Sequence, residues 1–463
     1  MSFLDILFKN ITAVTMDPEA PILRNVDLGI TGRKISYIEP SISQLSAAPS
    51  VATSTTGGIN LETTPQKAAV PLTAARIIDG TNKVLMPGLY NCHTHAAMTL
   101  LRGYANDRAL EDWLFNHIFP AERKLTPELV YTGTLLAIAE MISSGTIAFS
   151  DMYFHADEIA RAAHDAGVLA NVCNAVIAFD KDGYDFFKDN VYTQSQTILE
   201  KYHNKGDGRI KLEASIHGVY TSFAPAWKQV TDYAAKHDLG IHVHLSETKT
   251  EQDNCIATYN MTPAQVFSSH GVFDLPCIAA HGVWVTDDDI SILAEKGVSV
   301  AHNPLSNLKL ASGLAPVGKM IKCGVNVAIG TDGMASNNSH DMFEEIKMAS
   351  LLQKYAASDP TAAPAHEVLA MATTGGAKGQ GRDKESGMLK LGYDADMLMI
   401  DFDNPRQSAC YDPALNLAYS TTGRDVDMTI CRGKVLYEKG EYKTIDIEKL
   451  LYETRQAMKE FTS

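Results

Sequence analysis

Two histidines one residue apart, His93 and His95, end the run VLMPGLYNCHTH. A strand's period of two turns both imidazoles to the same side, the geometry of a bidentate grip on a metal ion. A second pair, His242 and His244, alternates in GIHVHLSET, with His244 nearer the end of the run and Glu247 three residues beyond it. His281 in CIAAHGVWV, His302 in VSVAHNP and Asp332 in NVAIGTDG close three further runs. His93, His95, His244 and Asp332 are the expected ligands. Three neutral imidazoles and a carboxylate around an open position suit zinc as a water activator, bringing the water's pKa to roughly 7. Iron, manganese and cobalt accept the same donors. His242 reads as a satisfied core histidine and His302 as structural or supporting. Asp332 also fits a helix N-cap.

These residues need a scaffold that gathers strand ends on one rim. Eight short apolar runs lie between residues 83 and 332, separated by stretches long enough for helices, and the remaining ones end in Asp151, Asn174 and His217. Strand and helix repeated eight times predict an α/β fold, a (β/α)8 TIM-type barrel with its chemistry at the C-terminal strand ends. Helices are expected at PELVYTGTLLAIAEMISSG, ADEIARAAHDAG, AWKQVTDYAAKHDLG, PAQVFSSHG, DDDISILAEKG and APVGKMIKCG, most of them closing on glycine. HDMFEEIKMASLLQKYAA follows the last strand as a further helix, and DIEKLLYETRQAMKEF closes the chain as a surface helix.

Strand-like alternation also marks the first forty residues and the segments ADMLMIDFD and DMTICRGKVLYEKGEY. Neither end is large enough to fold alone. The expected solution is a small β-sandwich built from both termini, residues 1–85 and 388–463, around a barrel of 86–387. Residues 41–72 are rich in Ser, Thr, Ala, Pro and Gly and read as an insertion with no core of its own.

The 463 residues are 45% hydrophobic and 21% charged, an ordinary globular balance. A net charge of −15 without a Lys/Arg block argues against nucleic acid as a partner. The first residues lack a secretory pattern and no apolar run of about 18 residues occurs, so a cytoplasmic protein without membrane contact is expected. Seven scattered cysteines without a C-x-x-C pair suggest neither a disulfide framework nor a thiolate zinc site. A G-x-S-x-G elbow and the H-x-E with P-C-x-x-C deaminase signature are both absent.

The motifs MPGLYNCHTHAAMTLLRG, EDWLFNHIFPAERKLTPE, SDMYFH, HVHLSET, AAHGVWV, AHNPLSNLKLASGLAPV, GTDGMASNNSHDMFEEI and ADMLMIDFD resemble the amidohydrolase superfamily. More narrowly they resemble the 5-methylthioadenosine/S-adenosylhomocysteine deaminases and their triazine-hydrolase relatives. The resemblance covers nearly the whole chain except residues 41–72. It implies one divalent cation, zinc first, held by His93, His95, His244 and Asp332. Asn174 and His217, at the ends of strands three and four, cannot bridge a second metal. It also implies hydrolytic deamination of an adenosine-type nucleoside to the inosine analogue and ammonia. In this reading His281 or Asp332 takes the water's proton and Glu247 protonates the ring nitrogen. Glu122 binds the ribose hydroxyls, His217 contacts the nucleoside and Trp113 packs on the thioether end. Each also has a plainer reading: Glu122 as a helix-surface charge beside Arg123, Trp113 as core, His281 as a satisfied buried histidine, Glu247 as a surface residue opening a helix.

Relatives active on S-adenosylhomocysteine carry an Arg where this chain has Asn174. Lys181 and Lys188 in the next segment are poorer carboxylate clamps. The expectation is that 5-methylthioadenosine, adenosine and 5-deoxyadenosine are handled better than the homocysteine adduct. The competing substrate class is a free heterocycle, guanine, pterin or triazine, on the same scaffold. A homo-oligomer, dimer or tetramer, is implied by the resemblance.

Overall fold

The computed structural model describes residues 3–41, 72–108, 112–180 and 183–462. Most of the expected insertion, and Lys181, lie outside the described residues.

The eight runs form eight parallel strands: Leu89–Thr94, Thr146–Met152, Leu169–Cys173, a fourth in two pieces, Ile241–Leu245, Cys277–His281, Ser299–His302 and Asn326–Ile329. The fourth is Ile210–Leu212 followed by Ala214–Ile216, with Glu213 at the break. Its first piece pairs with strand three, Leu212 opposite Val172, and its second with strand five, Ala214 opposite Ile241. The Asp332 N–H donates to the His93 carbonyl at 2.9 Å, which ties the end of strand eight to strand one and closes the ring. Strands covered by helices outside and by side chains inside have no solvent face, which is why they read as continuous apolar runs rather than alternating ones. Every residue of Thr146–Met152 is buried.

The expected helices form at Pro127–Ser143, Ala156–Ala166, Ala224–Lys236, Pro263–Ser269, Asp287–Lys296, Val317–Lys322, Met342–Ala357 and Ile447–Thr462. Local chemistry sets their ends. Thr262 with Gln265 and Thr286 with Asp289 form capping boxes, and Gly167 (φ 85°) and Gly297 (φ 66°) take the left-handed conformation at the far ends of Ala156–Ala166 and Asp287–Lys296. Asn190–Lys201 and Lys249–Tyr259 are helices that sequence reading did not single out. Both are rich in polar residues, and their apolar stripe is too thin to mark a periodicity.

Strands from both chain ends hydrogen-bond into one continuous nine-stranded sheet, in which Phe3–Val14 pairs with Ile22–Thr31, Thr73–Asp79 and Lys83–Pro87. The sheet folds about its own core, where Phe8, Leu28, Ile35 and Met428 meet. Met397–Asp401 shows how it joins the barrel: Met397 and Met399 face the sheet's core, while Leu398 and Ile400 belong to the barrel's. A period of two thus serves two cores at once. No described helix is long and apolar enough to cross a membrane.

Candidate metal centre and substrate pocket

The C-terminal rim brings His93, His95, His244, His281 and Asp332 together. One ring nitrogen each of His93, His244 and His281 fall within 4.8 Å of one another, as do single donor atoms of His93, His95 and Asp332. Asp332 Oδ1 lies 3.4 Å from His93 Nε2 and 3.2 Å from His95 Nε2. Each imidazole is fixed from behind through Nδ1. His95 Nδ1 donates to the Met152 carbonyl (2.6 Å), His244 Nδ1 to the His217 carbonyl (2.7 Å), and His281 Nδ1 to Asn307 Oδ1 (2.9 Å). His93 Nδ1 meets His242 Nε2 at 3.0 Å. Asp332 Oδ2 accepts from Ser306 Oγ (2.6 Å) and Ser336 Oγ (2.9 Å), leaving Oδ1 for the centre. A proton on Nδ1 places the ring's free lone pair on Nε2, the arrangement that supporting hydrogen bonds give to metal-binding histidines.

The donor set fits a divalent cation. His93 Nε2 is buried with no hydrogen-bond partner among the described residues, a cost that a ligated ion removes. Burial holds the His93 and His244 imidazoles neutral, well below the usual histidine range, and neutral imidazole is the ligating form. Burial opposes ionisation of Asp332, but His93 and His95 outweigh it and hold the carboxyl well below the usual carboxylate range.

Backbone geometry at the rim is unusual. His281 has φ 76°, Asp332 φ 61° and Ser246 φ 48°, each in the left-handed region just where a strand ends. The reversal turns these side chains over the barrel mouth. Asp151, at the end of strand two, accepts from the Ala96 N–H at 2.6 Å and pins the loop after His95.

Beside the imidazoles lies a narrow pocket whose walls include Trp113, Glu122, Tyr153, His217, Glu247 and His281. Burial raises the Glu247 carboxyl above its usual range, and Glu247 Oε2 lies 3.8 Å from His281 Nε2. His217 is buried, with Nδ1 3.0 Å from Thr221 Oγ1, and burial lowers it to about 3. Glu122 sits in the short helix Phe119–Glu122, 8% exposed, and its Oε2 has no hydrogen-bond partner among the described residues. The surface-charge reading of Glu122 therefore fails: burial raises it to about 7, against the pull of Tyr153 and His95.

A wider chamber of about 480 Å³ adjoins the pocket, with Phe119, Glu122, Phe154, Ala175 and Ile177 common to both. Asn174 lines this outer chamber rather than the inner pocket, and its amide donates to Gln194 Oε1. Lys188 is an exposed side chain paired with Asp185, away from the chamber walls. Arg123, a neighbour of Glu122 in sequence, does line the chamber.

His302 is buried below the rim, and neither ring nitrogen has a hydrogen-bond partner among the described residues. His242 is fully buried, as a core histidine would be, and its Nε2 contacts His93. Sequence reasoning missed Asn307, Ser306 and Ser336, which hold His281 and Asp332, and Glu251, which holds the Glu247 backbone. Ser306 and Asn307 come two and three residues after the AHNP run, and Glu251 lies four residues beyond Glu247, so polar residues just past each strand end were the available signal.

A model of the family described as "Amidohydrolase family" matches residues 84–436. A 5-methylthioadenosine/S-adenosylhomocysteine deaminase of Acetivibrio thermocellus is 41% identical over 456 residues, 98% of this chain and 99% of its own. A 5'-deoxyadenosine deaminase of Methanosarcina acetivorans is 41% identical over 461 residues, 99% of each. The crystal structure of an adenosine deaminase from Xanthomonas campestris with bound zinc superposes with a TM-score of 0.89 at 31% identity, covering 100% of this chain and 99% of that one. With the family's model spanning the barrel and such relatives matching end to end, this chain belongs to the amidohydrolase family.

Proposed function

We propose that this protein hydrolyses the exocyclic amino group of an adenosine-type nucleoside, giving the inosine analogue and ammonia, with one divalent cation held by His93, His95, His244 and Asp332. Deaminases of such nucleosides among the relatives support the reaction class. The observation that carries the substrate class is Glu122. A buried, unpartnered carboxyl oxygen at the junction of an inner pocket and an outer chamber is placed to accept ribose hydroxyls, with the base inward and the 5' substituent outward. A free base would leave that carboxyl unanswered.

When bound, zinc supplies a water acidic enough to ionise near neutral pH and a charge that stabilises the negative charge built up during attack. The chain's residues do the rest. His281, with its Nδ1 committed to Asn307, presents Nε2 as the acceptor for the water's proton. Glu247, kept protonated more readily by burial, donates its proton to the ring nitrogen beside the attacked carbon, recovers one from the hydroxyl added there, and gives it to the amino group as ammonia leaves. Trp113, Leu114 and Phe119 wall the pocket with apolar surface and keep bulk water from the reacting face.

Asn174 and Gln194 give the outer chamber a neutral amide pair, which suits a methylthio, hydroxyl or methyl 5' end better than an amino-acid carboxylate. The test is ammonia release from 5-methylthioadenosine, S-adenosylhomocysteine, adenosine, 5-deoxyadenosine, guanine and a pterin, with zinc-loaded protein beside Glu247→Gln. Nucleoside turnover lost in the variant is expected. Turnover of a free base alone would move the function to heterocycle hydrolysis.

A further inference from the structure

The barrel's interior is polar where such interiors are filled by branched apolar side chains. Below the rim, Glu213 at the break in strand four places Oε2 3.5 Å from His242 Nδ1, and His242 Nε2 meets His93 Nδ1 at 3.0 Å. His242 is 0% and Glu213 7% exposed. Glu213 Oε1 accepts from Asn171 Nδ2 at 2.8 Å, while Glu213 Oε2 and His242 Nδ1 form no hydrogen bond among the described residues and have each other as neighbours at 3.5 Å. Buried polar groups of this kind are costly unless paired, so the line calls for a role.

Hydrogen-bond bookkeeping assigns its direction. If His93 gives its Nε2 lone pair to the cation, its Nδ1 carries the proton and donates to His242 Nε2. His242, accepting at Nε2, then carries its own proton on Nδ1, facing Glu213. We propose that Glu213 and His242 are positioning residues: together they fix His93 in the ligating tautomer and make it a stronger donor to the cation. This rests on the reading of His93 as a ligand.

The same tautomer argues against a second metal. Cys173, Glu213 and His242 offer ligand atoms within 4.8 Å of one another, but His242 Nδ1 is already protonated in the line above. Cys173 Sγ donates to the Asp151 carbonyl (3.3 Å) and is buried, which disfavours the thiolate a metal needs. Glu213 also lines a cavity of about 280 Å³ at the opposite end of the barrel from the substrate pocket.

The experiment measures zinc affinity by chelator competition and the visible spectrum of the cobalt-substituted protein, with folding followed by circular dichroism. Glu213→Gln and His242→Leu are expected to weaken zinc binding about 10- to 100-fold. His242→Gln, whose amide can accept from His93 and donate to Glu213, should recover much of the loss. The double variant Glu213→Gln/His242→Leu should be no worse than His242→Leu alone, since both act through one contact, and the cobalt bands should shift in each weakened variant. Wild-type affinity and spectrum in folded Glu213→Gln and His242→Leu overturn the relay alone. Two tightly bound ions per wild-type chain, the second lost in Cys173→Ser, overturn it in favour of a metal at Glu213. A wild-type protein with no affinity for divalent cations overturns it together with the ligand reading of His93.

Discussion

Glu251 Oε2 accepts the backbone N–H of Glu247 at 2.7 Å, and its Oε1 accepts that of Ser246 at 3.2 Å. One carboxyl group thus seats the turn that presents another. Ser246 is in the left-handed region, and Glu251 supplies the acceptors that the turned-over backbone would otherwise lack.

Removing those acceptors should disturb catalysis without touching the proton donor itself. Glu251→Ala is expected to lower kcat about 10- to 100-fold and to lower stability by about 1–3 kcal/mol, the cost of leaving buried N–H groups unmet. Glu247→Gln should lower kcat by about 100- to 10,000-fold, the scale of a lost general acid, with thermal stability retained. Steady-state kinetics beside thermal melts separates the two. Equal kcat in Glu251→Ala and wild type would show that the turn holds itself.

Glu122 should report through pH. Its carboxyl titrates at about 7, above the ordinary value, because it is buried. Ribose hydroxyls need the ionised form as acceptor, so KM for the nucleoside should rise as pH falls below about 7, and Glu122→Gln should flatten that dependence. The stability effect has the opposite sense. A raised carboxyl pKa favours the folded state at low pH, and that contribution is lost as pH climbs through 7. Glu122→Gln should therefore raise Tm at pH 8 and not at pH 5, which thermal melts at the two pH values decide.

Stripping the cation should abolish turnover and lower Tm, because ligand binding to the folded state alone stabilises by RT ln(1 + [L]/Kd), about 4 kcal/mol at a thousandfold excess over Kd. Zinc added back should restore both. His95→Ala should show the stripped protein's behaviour even in excess zinc. Metal content measured alongside activity is the check, and full activity in metal-free protein would remove the cation from the reaction.

Asn174→Arg tests the outer chamber. A guanidinium beside Gln194 should raise kcat/KM for S-adenosylhomocysteine relative to 5-methylthioadenosine by about tenfold, the worth of one modest charge-assisted hydrogen bond. In the unaltered protein the ratio should favour 5-methylthioadenosine. The contrary ratio would point to Arg123, on the wall of the same chamber, as a carboxylate partner already in place.

The barrel was legible because buried parallel strands are apolar from end to end and stop abruptly at a polar residue, as VSVAHNP and NVAIGTDG show. The side chains gathered at the rim were legible for the same reason, each standing at or just past a strand's end. What could not be read was the layer behind them. Met152 and His217 support His95 and His244 through main-chain carbonyls, which leave no trace in residue type. Glu213 lies 120 residues from His93 and meets it only through His242, a relationship made by ring closure rather than by any local pattern. The polar helix Lys249–Tyr259 was missed because it turns mostly polar residues inward, Glu251 and Gln252 beside Cys255, and so shows no apolar periodicity.

The left-handed backbone at His281 and Asp332 has an evolutionary consequence. A residue with a Cβ held at such angles costs on the order of 1–3 kcal/mol, and glycine there costs far less. The positions that the proposed chemistry needs most are thus the ones where drift toward glycine would relieve the backbone while ending the reaction. A chain released from the need for activity would be expected to lose these two side chains early and keep its barrel.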